Sequence, residues 1–196
     1  MFAEHVQPTR AEQKRRTTAR VTEAAARLFR EHGFHGTTVR QIAAEAGVSV
    51  GAVMAVGDKE SLLSLVYDDA IAARIPPPPA AGSTTSAAGY LARYFDPFLD
   101  LFAGNEELAR AYFRALTRGR PENAALGGLR TLAENNLTAA LVNTGMPEDR
   151  ARLGAQVMVA GYLGELVLLA AGTTDFRQAA ARIRRTAEFV TSHERP

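Results

Sequence analysis

Cysteine is absent from all 196 residues. This excludes disulfides, thiolate nucleophiles and cysteine-ligated metals together, and suits a reducing interior. A metal would need oxygen or histidine ligands. Of the four histidines, His5 and His193 lie near the ends, His32 at a helix end and His35 in a loop, with no carboxylate placed to complete a set. No metal site and no cofactor is expected. Alternating strand patterns are also missing, as are a glycine-rich phosphate loop and a Gly-x-Ser-x-Gly elbow, and no histidine falls among the C-terminal aromatics. Nothing nominates an acid, base or nucleophile, so the expectation is a protein that is not an enzyme. Residues Met1 to Arg20 lack the apolar centre of a secretory signal, which points to the cytoplasm. The longest apolar stretch, Val157 to Gly172, is interrupted by Glu165 and is shorter than the ~20 residues of a membrane span. It reads as a buried helix, with no membrane partner.

What is present is a chain 46% hydrophobic, with a net charge of only +2. Its charge is unevenly placed: Arg10, Lys14, Arg15, Arg16 and Arg20 face a single acid, Glu12, over one short stretch. Such a cluster is an electrostatic footprint for phosphate, and taken alone it is equally an ordinary solvated helix start.

Helical periodicity organises the rest. Val21, Ala24, Ala25, Leu28 and Phe29 share one face of a helix running from about residue 13 to His32, which Gly33 stops. Thr38 and Gln41 have the capping-box spacing, and Val39, Ile42, Ala43 and Ala46 supply the inward face of a short second helix ended by Gly47. Ser49 caps a third, Val50 to Val56. Two short helices joined by a tight glycine turn make a helix-turn-helix. Asp58-Lys59-Glu60 opens a fourth helix that runs to Pro76, with Leu62, Leu63, Val66, Ala70 and Ile71 inward.

The run Pro76 to Pro79, continued to Thr85, cannot be helical, and residues 76–85 read as a linker between a domain at 13–75 and a second at 86–192. The second domain carries a stripe from Leu91 to Phe102 kinked at Pro97, then stripes at Leu108–Ala115, Leu126–Leu141, Pro147–Gly172 and Phe176–Val190. The fold class is therefore all-α, with about nine helices. The fourth of these stripes is apolar nearly all round and the last is apolar on one side. A small chain covers both most economically as a symmetric homodimer in which the last two helices pair with their copies in a four-helix bundle.

The segments Ala24-Ala25-Ala26-Arg27-Leu28-Phe29, Gly33-Phe34, Gly36-Thr37-Thr38-Val39-Arg40-Gln41-Ile42-Ala43, Ala46-Gly47-Val48-Ser49-Val50-Gly51 and Asp58-Lys59-Glu60-Ser61-Leu62-Leu63 together resemble the DNA-binding domain of the TetR (tetracycline repressor) family. The likeness covers about a quarter of the chain. It implies a three-helix DNA-binding domain followed by a helical effector-binding and dimerisation bundle. It also implies that Thr37, Thr38, Arg40 and Lys59 contact phosphates while the third helix, with Ser49, Val50, Gly51, Ala52 and Met54, enters the major groove. Independently, helix N-termini at Thr38 and Lys59 suit phosphate, Arg40 and Gln41 are the best hydrogen-bonding side chains near that surface, and Arg15 and Arg16 add basic charge. The sequence departs from the family at Val53-Met54-Ala55-Val56-Gly57, one residue shorter and without the family's tyrosine and following aromatic or histidine pair.

The implied function is a transcriptional regulator, a repressor released from a palindromic double-stranded DNA operator by a small-molecule effector. The alternative is a TetR-like helical small-molecule-binding protein with weakened or lost operator binding. For the effector, Tyr94, Phe98, Phe102, Tyr112, Phe113 and Tyr162, with Met158, Asn136 and Glu165, are candidates for a largely apolar pocket between helices; each aromatic alone serves equally as core. Asn135, Asn136, Gln156 and Glu165 stand out as polar residues in apolar helices, and Glu165 could instead pair with an arginine across the dimer.

Overall fold

A computed structural model describes residues 9–79, 86–117 and 124–192, and among them every regular element is helical, ten helices in all. The expected linker lies partly, and His5 and His193 wholly, outside the described residues.

The first helix, α1 (Arg10–Gly36), starts ahead of the periodic stripe because a reciprocal cap opens it. Thr9 Oγ1 accepts from the Glu12 amide at 3.3 Å while the Glu12 carboxylate accepts from the Thr9 amide at 2.7 Å. Gly33 interrupts it with φ 70° and ψ 175°, a conformation that a side chain would strain. Thr38 and Gln41 open α2 (Val39–Ala46) by the same reciprocal cap, and Gly47 closes it at φ 60°, ψ 42°. Ser49 Oγ then caps α3 (Val50–Val56) through the Ala52 amide at 3.1 Å. The α2 and α3 axes differ by 104°, within the range of a helix-turn-helix. Val21, Ala24, Ala25, Phe29, Ile42 and Val53 form the core of this unit. Asp58 caps α4 (Lys59–Ala72), its Oδ1 accepting from the Ser61 amide at 2.8 Å.

The compact units divide between Tyr67 and Asp68, inside α4, whereas composition placed the linker from Pro76 onward. The physical reason is that Ile71 and Ile75 carry apolar side chains into the second unit's cavity.

In that unit the chain forms α5 (Ala87–Arg93), α6 (Asp96–Ala103), α7 (Glu106–Thr117), α8 (Ala124–Val142), α9 (Glu148–Ala170) and α10 (Phe176–Thr191). The stripe expected as one kinked helix is two. The break falls at Tyr94–Phe95, which puts Pro97 in the first turn of α6, where its missing N–H leaves no bond unmade. Helix α9 packs on α7, α8 and α10, and α10 also on α5 and α6. At 23 residues, with an 18-residue stretch of mean hydropathy 1.6, α9 is long and apolar enough to cross a membrane. Its Ala155, Met158, Tyr162, Leu166 and Leu169 face the core, and Leu153, Val157, Val167 and Leu168 are exposed. Gly154 lets α10 approach closely, since a Cβ there would meet Val190 Cγ1 at 2.8 Å.

Candidate DNA-binding surface and helical cavity

In the N-terminal unit, Arg15 and Arg16 on α1, Thr38, Arg40 and Gln41 on α2, and Ser49, Val50, Gly51 and Met54 around α3 are all exposed, with Ala52 half-buried. Val53 is the buried anchor of α3, so Val50 and Met54 face outward at 44% and 51% exposure. That outer face can meet a thymine methyl and has little with which to hydrogen-bond. Gln41 is engaged in its cap, its Oε1 accepting from the Thr38 amide and hydroxyl at 2.8 Å each.

Two residues expected on phosphates have their side chains engaged inside the unit. Thr37 is 1% exposed, and its hydroxyl lies 3.1 Å from the Leu28 carbonyl and 2.8 Å from that of Gly33. It secures the broken end of α1. Lys59 donates from Nζ to the Phe34 and Thr37 carbonyls at 2.8 and 3.1 Å and lies 4.3 Å from the Phe34 ring centroid. Periodicity could not show this, because both carbonyls belong to the stretch between the break at Gly33 and the start of α2. A second cation does unforeseen work: Arg20 donates to the Ala46 and Gly47 carbonyls, capping the C-terminus of α2 and fixing the turn. The shortened junction before α4 also has a local cause. A Cβ at position 57 would meet Ser61 Cβ at 2.7 Å, so Gly57 permits the close approach.

The internal role of Thr37 predicts a clean separation of effects. Thr37→Val, isosteric but without the hydroxyl, should lose about 1–3 kcal/mol of stability in urea unfolding, while the salt dependence of any DNA binding keeps its slope. A shallower slope with unchanged stability would return Thr37 to the phosphate contacts.

In the C-terminal unit, Ile71, Ile75, Tyr94, Phe95, Phe98 and Phe102 line a cavity of about 60 Å³ together with Tyr112, Leu116, Leu129, Arg130, Ala133, Val159, Tyr162, Leu163 and Leu166. Of the expected pocket residues, Tyr94, Phe98, Phe102, Tyr112 and Tyr162 meet there. Phe113, Met158, Asn136 and Glu165 do not. Phe113 is buried with its ring edge-on to Phe102 at 4.7 Å, and Met158 is core. Asn136 Nδ2 donates to the Pro76 carbonyl at 3.1 Å. Asn135 and Gln156 are exposed. Glu165 is buried and accepts two bonds from Arg182 of the same chain, at 2.7 and 2.6 Å. This fork satisfies both carboxylate oxygens, so neither a cationic effector nor a partner's arginine is needed.

The cavity walls are ordered by ring packing: Phe95 stacks on Tyr162 at 4.2 Å and 14°, and Tyr94 meets Phe95 edge-on at 5.1 Å. Two of its tyrosines differ in their hydroxyls. Tyr112 donates to Asp68 Oδ1 at 3.0 Å; burial raises the Asp68 pKa, the Tyr112 bond opposes that rise and the neighbouring Asp69 charge adds to it. The Tyr94 hydroxyl is buried without a hydrogen-bond partner.

Residues 21–56 match the model of the family described as bacterial regulatory proteins, tetR family. The fold is similar to that of a TetR transcriptional regulator from Rhodococcus sp. RHA1, with TM-score 0.70 and 19% identity over 93% of this chain and 98% of that one. It is also similar to the transcriptional regulator FadR from Bacillus subtilis, solved in complex with stearoyl-CoA, with TM-score 0.56 and 21% identity over 90% and 99%. A third likeness is to tylp, a TetR regulator from Streptomyces fradiae, with TM-score 0.54 and 24% identity over 93% and 88%. No protein with a curated description matches the chain.

Proposed function

We infer that this chain, whose N-terminal unit is a TetR-family DNA-binding domain and whose fold is that of TetR transcriptional regulators, is a dimeric repressor that a small apolar effector releases from a palindromic operator. The observation carrying the reading is the outward presentation of α3. It is held by one buried residue, Val53, and by caps at Ser49 and Arg20, leaving Val50, Gly51 and Met54 free to approach base edges. Arg15, Arg16 and Arg40 are exposed cations that can supply the phosphate term dominating affinity. With so little hydrogen bonding on α3, selectivity leans on α2, the basic start of α1 and DNA shape.

The apolar cavity supports the effector half of the reading. At about 60 Å³ it is smaller than the roughly 300–1,000 Å³ of a drug-sized site, so the effector is compact or the helices part to admit it. Ile71 lies on α4, the helix whose first turn is capped in the DNA-binding unit. A ligand that displaces Ile71 acts on that helix, and changing the separation of the two α3 copies, about 34 Å on an operator, releases DNA. A bias of a few kcal/mol suffices.

The test is fluorescence anisotropy of the purified protein on DNA flanking its own coding region, in a salt series and against scrambled sequence. Expected is selective binding that weakens steeply with salt. Weak, unselective binding would overturn the repressor and leave a ligand-binding protein of the same fold.

A further inference from the structure

The cavity is nearly free of charge, and its lining includes a fully buried polar group whose bonding is incomplete. Tyr94 is 1% exposed, and its hydroxyl has no hydrogen-bond partner. A buried donor in that condition carries a desolvation cost that a bound acceptor would relieve. Three neighbouring polar groups are committed elsewhere: Tyr112 donates to Asp68, Tyr90 donates to the Pro76 carbonyl at 3.3 Å, and the Asn136 amide nitrogen donates to that same carbonyl. Burial raises the Tyr94 pKa and an interaction of the Asn136 side chain with the phenol oxygen opposes that rise; the hydroxyl's own proton has no acceptor.

The lining contains no carboxylate, and its one cation, Arg130, is half-exposed and paired with Glu134 at 2.6 Å. A charged ligand would leave water without a counter-charge to receive it. The remaining lining is aromatic and aliphatic. We propose that the cavity takes a compact, neutral, ring-containing molecule bearing one hydrogen-bond acceptor, a carbonyl or ether oxygen, to which the Tyr94 hydroxyl donates. This rests on the cavity being the effector site and adds the chemistry of what it accepts.

Acetophenone and ethylbenzene share a carbon skeleton and differ in the acceptor, and benzoate adds a charge. Each is titrated into the full chain and into Tyr94→Phe by ligand-observed NMR. The wild-type protein should bind acetophenone about tenfold more tightly than ethylbenzene, on the scale of one satisfied buried donor, and benzoate should not bind. Tyr94→Phe should bring the two neutral probes to near parity, leave ethylbenzene affinity unchanged, and unfold at no lower temperature than wild type, because the hydroxyl proton it removes has no acceptor and Asn136 keeps its bond to the Pro76 carbonyl. Equal affinities in the wild-type protein, a preference that survives in Tyr94→Phe, or benzoate binding as well as acetophenone would overturn the assignment while leaving the cavity as a binding site. Failure of all three probes would overturn both.

Discussion

On the proposed dimeric reading, Val157→Asp should leave the protein monomeric and lower operator affinity by about a hundredfold or more, the loss expected when two linked half-site contacts become independent. The argument begins with side chains that the single chain leaves uncovered: on α9 Leu153 is 61% and Val157 40% exposed, and on α10 Phe189 is 66% exposed. These three, with Val190 and the close approach at Gly154, line one shallow apolar groove between α9 and α10. An isologous pairing of the two helices with their copies would bury this surface, and a carboxylate at its centre would be desolvated against a copy of itself. Sedimentation should show the monomer and circular dichroism an unchanged helix content, since Val157 contributes little to its own chain's core. Leu132→Asp, on the 44% exposed Leu132 of α8, should leave the dimer intact. Dimers that persist in Val157→Asp would move the interface off this groove.

The sequence revealed most where the cause of structure is local. Gly33 and Gly47 interrupt or end helices within about one turn of the side chains that define the stripes, and the Thr38–Gln41 cap closes over three residues, so both were legible in the chain. Arg20 was visible as one charge in a basic cluster. Its capping of α2 spans 26 residues and exists only once the helices cross. Thr37 and Lys59 were expected on phosphates, and their side chains instead engage carbonyls around the junction of α1 and α2, a tertiary arrangement that periodicity does not encode. The cavity followed the same rule. Tyr94, Phe98 and Phe102 share a stripe and meet in one wall, while Phe113, one residue on from Tyr112, is turned about 100° away by the helix itself and packs on the edge of Phe102 instead. Glu165 was marked as a polar residue in need of a partner. That the partner is Arg182 of its own chain depends on the register between α9 and α10, which periodicity does not encode.

Phe102→Ala lowers stability by about 3–5 kcal/mol, the range for removing a large aromatic from a close-packed core. Phe102 is 0% exposed and contacts two further rings, Phe113 at 4.7 Å and Tyr112 at 6.0 Å between centroids. It also forms part of the cavity wall, so its deletion adds to an existing void instead of opening an isolated one, and collapse of the surrounding helices is harder. That places the expected loss toward the upper end of the range, a large share of the roughly 5–15 kcal/mol that holds a typical domain folded. Urea unfolding followed by circular dichroism would measure it. The same enlargement should tighten binding of ethylbenzene, because an apolar void accepts an apolar molecule without displacing bound water. A loss below about 1 kcal/mol with unchanged ligand binding would mean that the helices close over the gap, and that the cavity is too deformable for Tyr94 to be held in one place for a ligand to meet.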